Sequence, residues 1–491
     1  MMWPSKSATH RGLRGCIRIL QPVSAAACIA LFAAPFLTPT TGVAQSIDVS
    51  DASLSQLHQA ASDAYRSGQR DHAMALTNAI LARAPEDALA LYLQAKLWFE
   101  ARPTEATQRA ARKTARHAFA AARSDVQHYE TSVLAAQIAA SQKRWFAANG
   151  WTRLSSLYAP NQQAKAQADQ DLNTLQRLNP WQISGSFSIR PSSNVNGGAA
   201  SSENRIEGYS SVGRLSTDAQ ALAGTEATAS LSLRYRIHET AQSRTTIGGT
   251  FWTRQVDLRG SPTREIFDPQ TQTSREVPIK NSNFSEDYLR ADITYLRNLG
   301  HGRAAFSVNS SRYWQAGSDV WTGRGISARW AFMHDTVWVL DSSFEQRSYQ
   351  RNRDDWLWSF GVERIDDLFK TGQLRTAIDW FEQDSPYANA RLERLRGRIG
   401  FTPNQPLAGI ILSGEATFQR STYPEYSLLG MRPDGGRRDD RLSFRLAMHR
   451  PDWSIAGITP EWTIEASRTQ SNVSRYTGHE LAAGIGLRSN F

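Results

Sequence analysis

The sequence predicts an exported chain of two parts: an N-terminal α-helical solenoid and a C-terminal, 14-stranded antiparallel transmembrane β-barrel. Three observations support this fold class. A basic leader with an apolar core opens the 491-residue chain. Residues 50–178 have a helical composition, with Gly68 and Gly150 as their only glycines. From residue 179 onwards apolar and polar side chains alternate with period two, which is typical of strands between two different media.

Residues 1–44 predict a secretory signal peptide. Four cations and no acid precede the apolar segment 23–37, and Gly42-Val43-Ala44 offers small residues for cleavage. A membrane anchor is disfavoured because the apolar core is short. The only cysteines, Cys16 and Cys28, lie in this leader, so the mature chain contains no thiol, which is compatible with an oxidising periplasm.

Charge and motifs give no indication of nucleic-acid binding or catalysis. The net charge of +10 falls to +6 once the four leader cations are removed, which is mild. No His, Asp or Glu cluster has metal-ligand spacing and no glycine-rich phosphate loop is present, so no metal or cofactor is expected. A barrel hydrolase is disfavoured because most histidines of this region fall at predicted strand ends: His238, His301, His334, His449 and His479.

Residues 45–178 predict a periplasmic domain of about three helix pairs, similar to a tetratricopeptide array. In such arrays a small residue stands where two helices cross and a proline follows the second helix. The residues that carry this pattern are Ala64, Tyr65, Gly68, Ala73 and Pro85, repeated in part by Ala148 and Pro160. An unrelated helical bundle is the alternative.

Residues 179–491 predict the barrel. Alternation is clearest at 231–237, 326–332, 356–362 and 442–448, where one face would meet lipid and the other a lumen. The segment 336–341 is apolar on both faces, so its orientation stays open. Tryptophans near strand ends predict aromatic girdles at the lipid–water boundaries: Trp181, Trp321, Trp380, Trp453 and Trp462.

Loop lengths predict the orientation of this barrel. If the helices are periplasmic, odd-numbered connections are external, and outer-membrane barrels have their longer loops outside. The predicted long connections are 192–221, 257–282 and 422–437, all odd-numbered, and the short ones are 238–242, 298–302 and 403–406, all even-numbered. The pattern also returns the C-terminus to the periplasm.

The predicted lumen face is rich in arginine. One interpretation is a cationic passage for an acidic or extended polymer, and the other is a lumen braced by arginine–carboxylate pairs. The inward candidates are Arg234, Arg236, Arg254, Arg329, Arg375, Arg394, Arg396, Arg398, Arg441 and Arg445, with Glu363, Glu461 and Glu465 opposing them.

The closing seam between the first and last strands is predicted to be weak. Both strands carry small side chains, which leave few cross-strand contacts. The seam candidates are Gly185 and Phe187 on the first strand, and Gly484 and Gly486 on the last. Such a seam would open sideways as a gate, or it is an ordinary closure point.

Motifs at both ends of the strand region resemble the surface lipoprotein assembly modifier (Slam) family. The first is the stretch 190–196 at the end of strand one, and the second is the C-terminal block from 438 to 491. The residues that carry the resemblance are Ser193, Asn194, Asn196, His449, Arg450, Gly457, Pro460, Ser471, Asn472 and Phe491.

The resemblance implies an outer-membrane translocator in a Gram-negative bacterium, which moves lipoproteins or soluble proteins from the periplasm to the cell surface. Its partners would be the lipid bilayer, a periplasmic client protein, chaperones and the outer-membrane insertion machinery. It implies no catalytic residue. The alternatives are an exporter of an anionic polysaccharide, which would also combine tetratricopeptide helices with a barrel, and a passive porin-like protein, which would not need the helices.

Overall fold

The computed structural model describes residues 52–209, 213–333, 336–350, 353–368, 371–453 and 457–490. The predicted signal peptide and Phe491 lie outside these described residues. The chain divides into two compact units, the first ending at Asn179 and the second beginning at Pro180.

The described part of the first unit, residues 52–179, contains seven helices. They are α1 (Leu54–Arg66), α2 (Arg70–Arg83), α3 (Ala88–Glu100), α4 (Glu105–Ala121), α5 (Asp125–Ser141), α6 (Trp145–Leu157) and α7 (Gln162–Leu178). Consecutive helices pack against each other, and α1 also contacts α3, as α3 contacts α5. Contacts mainly between helices that are neighbours along the chain are typical of a helical solenoid. Among the described residues, no helix combines the length and apolarity needed to cross a bilayer.

Local sequence signals set the helix boundaries. Ser53 caps α1 by accepting from the Gln56 amide while the Gln56 side chain accepts from the Ser53 amide, which satisfies two otherwise free donors. Gly68 lies in the turn between α1 and α2 and has a φ of +79°, a value that favours glycine. Ala73 and Ala148 are fully buried, so the small side chains of the predicted repeat lie at helix contacts.

The second unit is a closed barrel of fourteen antiparallel strands, as predicted. The strands are β1 (Trp181–Ser192), β2 (Gly224–Glu239), β3 (Ser243–Leu258), β4 (Glu286–Leu299), β5 (Gly302–Gln315), β6 (Ser318–Met333), β7 (Val337–Tyr349), β8 (Arg353–Leu368), β9 (Gly372–Asp384), β10 (Leu392–Pro403), β11 (Ile411–Tyr423), β12 (Arg437–His449), β13 (Ile458–Ser471) and β14 (Gly478–Asn490). Each strand pairs with its neighbours in sequence, and β14 pairs with β1 to close the cylinder.

An exposed apolar belt surrounds the barrel. On β8 the outward residues Trp356, Trp358 and Phe360 are all exposed, and the belt ends at Arg364, which pairs with Asp366. Outward apolar residues on the other strands behave similarly, including Leu231, Ile293, Val308, Ile326, Ile378, Leu395, Phe444 and Ile485. Exposed apolar side chains on one face of a closed sheet define a transmembrane β-barrel.

One predicted girdle position, Trp321, is wrong. The structure also orients the segment 336–341, which the sequence did not orient. Trp321 is 9% exposed and lies on the lumen face, where it stacks on Tyr313 with ring centroids 5.6 Å apart. Pairing is regular from Trp321 to Phe332, so Trp321 takes the face opposite to the exposed Ile326. In β7, Trp338 and Leu340 share the outer face with Phe344, and Val339 and Asp341 face inward.

The two ends of the barrel differ in loop length, as predicted. The connections 193–223, 259–285 and 424–436 lie at one end, called here the long-loop end. The opposite, short-loop end carries 240–242, 300–301, 334–336, 369–371, 404–410 and 450–457.

Candidate functional site

The predicted lumen candidates lie on the inner face of the barrel. Paired residues on neighbouring strands share a face, and the exposed apolar belt occupies the opposite one. On β2, Leu231 and Leu233 face lipid, so Arg234 and Arg236 face inward. The same register places inward the remaining candidates Arg329, Glu363, Arg375, Arg394, Arg396, Arg398, Arg441 and Arg445.

An ion-pair network centred on Arg190 crosses the seam near the long-loop end. Arg190 on β1 contacts Glu226 on β2 at 2.8 Å, Glu465 on β13 at 2.7 Å and Glu480 on β14 at 3.7 Å. Arg254 on β3 contacts the same Glu226 at 2.7 Å. Glu226 is only 4% exposed, so both arginines compensate a buried charge.

The network continues away from the seam on both sides. Arg254 also contacts Glu286 on β4 at 3.1 Å, and Arg441 on β12 lies 3.9 Å from Glu480. Seven adjacent strands, β12 to β14 and β1 to β4, are therefore joined on the lumen side. Lower on the same wall Glu461 lies 3.7 Å from Arg445 and 3.5 Å from Arg488.

Carboxylates also partner several arginines on the far wall of the lumen. Asp379 accepts from Arg396 at 3.0 Å and from Arg398 at 3.1 Å. Arg329 lies 3.8 Å from Glu363, and Arg236 pairs with Glu239. In the described part of the barrel, no ion pair joins a carboxylate to the following lumen arginines: Arg234, Arg375 and Arg394.

The backbone ladder of the seam is interrupted. Residues from Ser184 to Ile189 pair with residues from Asn490 to Ile485, and pairing resumes only at Ser192 with Ala482. The gap falls at Arg190 and Pro191, and proline has no amide hydrogen to donate.

The predicted seam residues lie on both faces of this ladder. Gly185 and Phe187 lie on the lipid side of β1, and Gly484 and Gly486 lie on the lumen side of β14. Gly484 and Gly486 are closely approached, because a Cβ at either would lie 2.8 Å from a β1 carbonyl oxygen. The two strands can approach this closely only where no side chain is present.

A cavity of about 270 Å³ opens on the lumen wall at the seam. Its wall combines small hydroxyl side chains with the charged network: Ser186, Ser188, Arg190, Glu226, Arg445, Glu461, Glu465 and Arg488. This combination offers hydrogen bonds and both charge signs to an extended polar chain.

The N-terminal family-motif residues fold the first long loop over the barrel mouth. Asn194 accepts from the Gly198 amide at 2.8 Å and donates to the Gly198 carbonyl at 3.0 Å. Asn196 donates to the Gln220 carbonyl at 2.6 Å and accepts from the Leu222 amide at 2.9 Å. These side-chain bonds replace the ladder that the loop lacks.

The C-terminal motif residues contact this same region, although they lie some 280 positions away. The Ser193 amide donates to the Leu481 carbonyl at 3.0 Å, and the Ser193 hydroxyl accepts from the Leu481 amide at 2.9 Å. The Asn472 amide group donates to the Gly436 carbonyl at 2.9 Å, and the Ser471 hydroxyl accepts from the Val473 amide at 3.1 Å. The Glu207 amide, in the first long loop, donates to the Asn472 carbonyl at 3.0 Å, so motif residues 193–196 and 471–472 belong to connected loops at the long-loop end.

Four other motif residues, His449, Arg450, Gly457 and Pro460, lie at the opposite end of the barrel. His449 ends β12 opposite Glu461, and the Arg450 guanidinium lies 5.4 Å from the centre of the Trp453 ring. Gly457 has a φ of +80°, and Pro460 pairs with Leu487 of β14. The motif therefore marks two structural positions at opposite ends of the seam region.

Sequence reasoning missed Glu226 and Glu480 and did not place Arg190 in the lumen. All three occupy inward positions of the alternation two or three residues from strand ends, which is the signal that could have found them. No group of three or more potential metal ligands is present in the described residues.

Comparisons with known proteins find similarity to solved structures alone. No family model matches it, and no curated protein matches it. A bacterial polysaccharide outer-membrane secretin shares 9% identity over 62% of this chain and 98% of its own, with a TM-score of 0.32. OprB from Pseudomonas putida shares 8% over 65% and 96%, with a TM-score of 0.35. The translocator domain of NalP from Neisseria meningitidis shares 10% over 67% and 98%, with a TM-score of 0.26. At these scores, none of the likenesses carries an argument about this chain.

Proposed function

We propose that this chain is an outer-membrane exporter of the Slam family, which moves lipoproteins or soluble proteins from the periplasm to the cell surface. The helical unit lies in the periplasm and engages the client, delivered with the help of chaperones. The barrel is placed in the bilayer by the outer-membrane insertion machinery and passes the client outward. The proposal includes no catalytic step.

The observation that carries this proposal is the interrupted seam between β1 and β14. Its ladder has a gap at Arg190 and Pro191, and its lumen side carries Gly484 and Gly486 in place of larger side chains. Ladder bonds and cross-strand side-chain pairs are what hold neighbouring strands together. The β1–β14 junction has fewer ladder bonds and fewer cross-strand side-chain pairs. Separating these two strands therefore costs the least free energy, and the barrel would open sideways to a client there.

The solenoid supports the same proposal. Its helices stack in successive pairs, an arrangement that creates extended surfaces for binding other chains. A passive pore has no use for such a surface, whereas an exporter must hold its client before passage.

A strain that lacks the gene tests the proposal. We expect one or a few surface proteins to accumulate in the periplasm, measured by protease shaving of intact cells and by periplasmic proteomics. Uptake of a small hydrophilic dye should stay unchanged, because the barrel is not a general pore. A plasmid copy of the full chain should restore surface display, and unaltered surface and periplasmic protein profiles in the deletion strain would contradict the proposal.

Export of an anionic polysaccharide is the second candidate, because Arg234, Arg375 and Arg394 lack carboxylate partners in the described lumen. Three cations without a carboxylate in ion-pair contact would attract an anionic chain. In this case the deletion strain would lose a surface polysaccharide while its surface proteins remained in place.

A further inference from the structure

A basic stripe runs along one side of α4 in the helical unit. Its members are spaced three, four and seven residues apart and so lie on one helix face: Arg109, Arg112, Lys113 and Arg116. Like charges at this spacing repel each other by a few tenths of a kcal/mol per pair, roughly as much as an opposite pair gains. The stripe therefore gives the isolated helix no stability.

The stripe borders a cavity of about 630 Å³ formed by α4, α5 and the start of α6. Basic side chains surround the cavity, since His117 and Arg144 join the four members of the stripe. Its remaining lining is apolar and includes Ala135, Ile138, Ala139, Ala147 and Trp151. No carboxylate is part of this lining.

Only part of the positive charge is compensated within the helical unit. Arg109 pairs with Glu105, and His117 lies 3.0 Å from Glu86. Arg112 donates to the side-chain carbonyl of Gln142, which carries no charge. Among residues 52–179, no ion pair joins an acid to three other cations of the cavity: Lys113, Arg116 and Arg144.

We infer that this cavity binds an acidic segment of the client protein that carries an apolar side chain. Arginine forks bind carboxylates in a planar, two-bond geometry, and Lys113 adds a mobile charge. The apolar floor and Trp151 suit an aliphatic or aromatic anchor beside those carboxylates. The inference rests on the proposed function, because the helical unit is there the part that engages the client.

Peptide binding to the purified full chain in detergent tests the inference. The probe is a fluorescein-labelled 12-residue peptide of glutamate and leucine, and a lysine–leucine peptide of equal length serves as the comparison. We expect the acidic peptide alone to bind. Its Kd should rise about tenfold or more in Lys113→Glu/Arg116→Glu, because two attractions become repulsions.

The control variant is Lys165→Glu/Arg102→Glu, which makes the same charge change at exposed positions outside the cavity. Its Kd should equal that of the unmodified chain, and circular dichroism should show intact helices in both variants. Equal loss in both variants, or no binding of the acidic peptide, would overturn the inference. So would Lys113- and Arg116-dependent capture of phosphatidylglycerol vesicles in place of the peptide, since the occupant would then be a lipid.

Failure of the cavity inference can be distinguished from failure of the proposed export function. The peptide measurement needs no export, whereas the deletion strain tests export without reference to the cavity. A periplasmic client in the deletion strain together with no peptide binding would overturn only the cavity inference.

Discussion

Arg190 reaches Glu465 two strands away, across β14, where Gly484 leaves space beside the Arg190 side chain. The Arg190 Nη1 atom lies 2.7 Å from the Glu465 Oε2 atom. A Cβ on Gly484 would lie 3.0 Å from the Arg190 Cβ and 3.2 Å from its Cγ. Gly484 therefore has two effects. It lets β1 and β14 approach closely, and it leaves room for the Arg190–Glu465 ion pair that stabilises the seam. The backbone ladder of the seam is interrupted, but ion pairs on its lumen side hold β1 and β14 together.

Gly484→Ala should weaken the seam. The new methyl group meets the Ile189 carbonyl oxygen at 2.8 Å, so β1 and β14 must separate, at a cost of about 1–3 kcal/mol. The measurement is the temperature at which the folded barrel loses its faster mobility on a detergent gel. Gly397→Ala is the control, because a Cβ there meets no atom within 4 Å. An equal shift in both variants would show that the close approach at Gly484 has no special role.

Arg190→Met should destabilise the barrel more than any exposed lumen substitution. It leaves Glu226, at 4% exposure, with Arg254 alone and removes the partner of Glu465. Because Arg254 still compensates Glu226, we expect a loss above the roughly 1 kcal/mol of an exposed pair but below the roughly 3–5 kcal/mol of a fully broken buried pair. Urea unfolding followed by tryptophan fluorescence measures the change in stability.

Arg488→Met provides the matched control for Arg190. Arg488 also faces the lumen from a seam strand, but its contact with Glu461 is 3.5 Å and its side chain is well exposed. Such a pair contributes about 1 kcal/mol or less. Equal losses of stability in the two variants would show that the Arg190 network does not hold the seam together.

The sequence predicted the architecture because alternation and loop length are local signals. Leu231 and Arg234 take opposite faces by parity alone, and the odd-numbered long loops follow from counting strands. The Arg190 network was not predictable in the same way. Its members come from β1, β2, β13 and β14, and only closure of the cylinder brings Glu226 and Glu465 to one guanidinium. The predicted girdle position of Trp321 is wrong because nearness to a strand end does not set the face of a side chain, whereas alternation from the exposed Ile326 places Trp321 inward.

The contact between Asp218 and Arg264 should hold two long loops together down to mildly acidic pH. Asp218 lies in the first long loop and Arg264 in the hairpin of 263–278, with 2.7 Å between Oδ2 and Nη1. Burial acts to raise the pKa of Asp218, but the Ser216 hydrogen bond and Arg264 outweigh it, so the pKa is lowered. The folded state thus favours the ionised form, and this stabilisation is present above the ordinary pKa of about 3.9 and lost as the pH falls further.

Hydrogen exchange of the 263–278 amides, corrected for intrinsic rates, checks this pH dependence. We expect equal protection at pH 5 and pH 7, and exchange about fivefold faster at both values in Asp218→Asn, corresponding to roughly 1 kcal/mol. Asp268→Asn is the control, because Asp268 bonds only within the hairpin tip. Protection that already falls between pH 7 and pH 5 in the unmodified chain would contradict a lowered pKa.

A reversible crosslink across the seam should stop export if the seam is the gate. Ser186 pairs with Arg488 on the lumen side of the seam, and both residues already carry a Cβ; directly opposite residues of an antiparallel pair have Cβ atoms about 4.5–5.5 Å apart, near the roughly 3.5–4.5 Å that a disulfide needs. We expect oxidised Ser186→Cys/Arg488→Cys to strand the client in the periplasm and reduction to restore its display. Ser343→Cys/Ser359→Cys is the matched control, since these residues pair in the same way between β7 and β8. Export at the normal rate through a fully oxidised seam would show that the client passes through the lumen without parting β1 from β14.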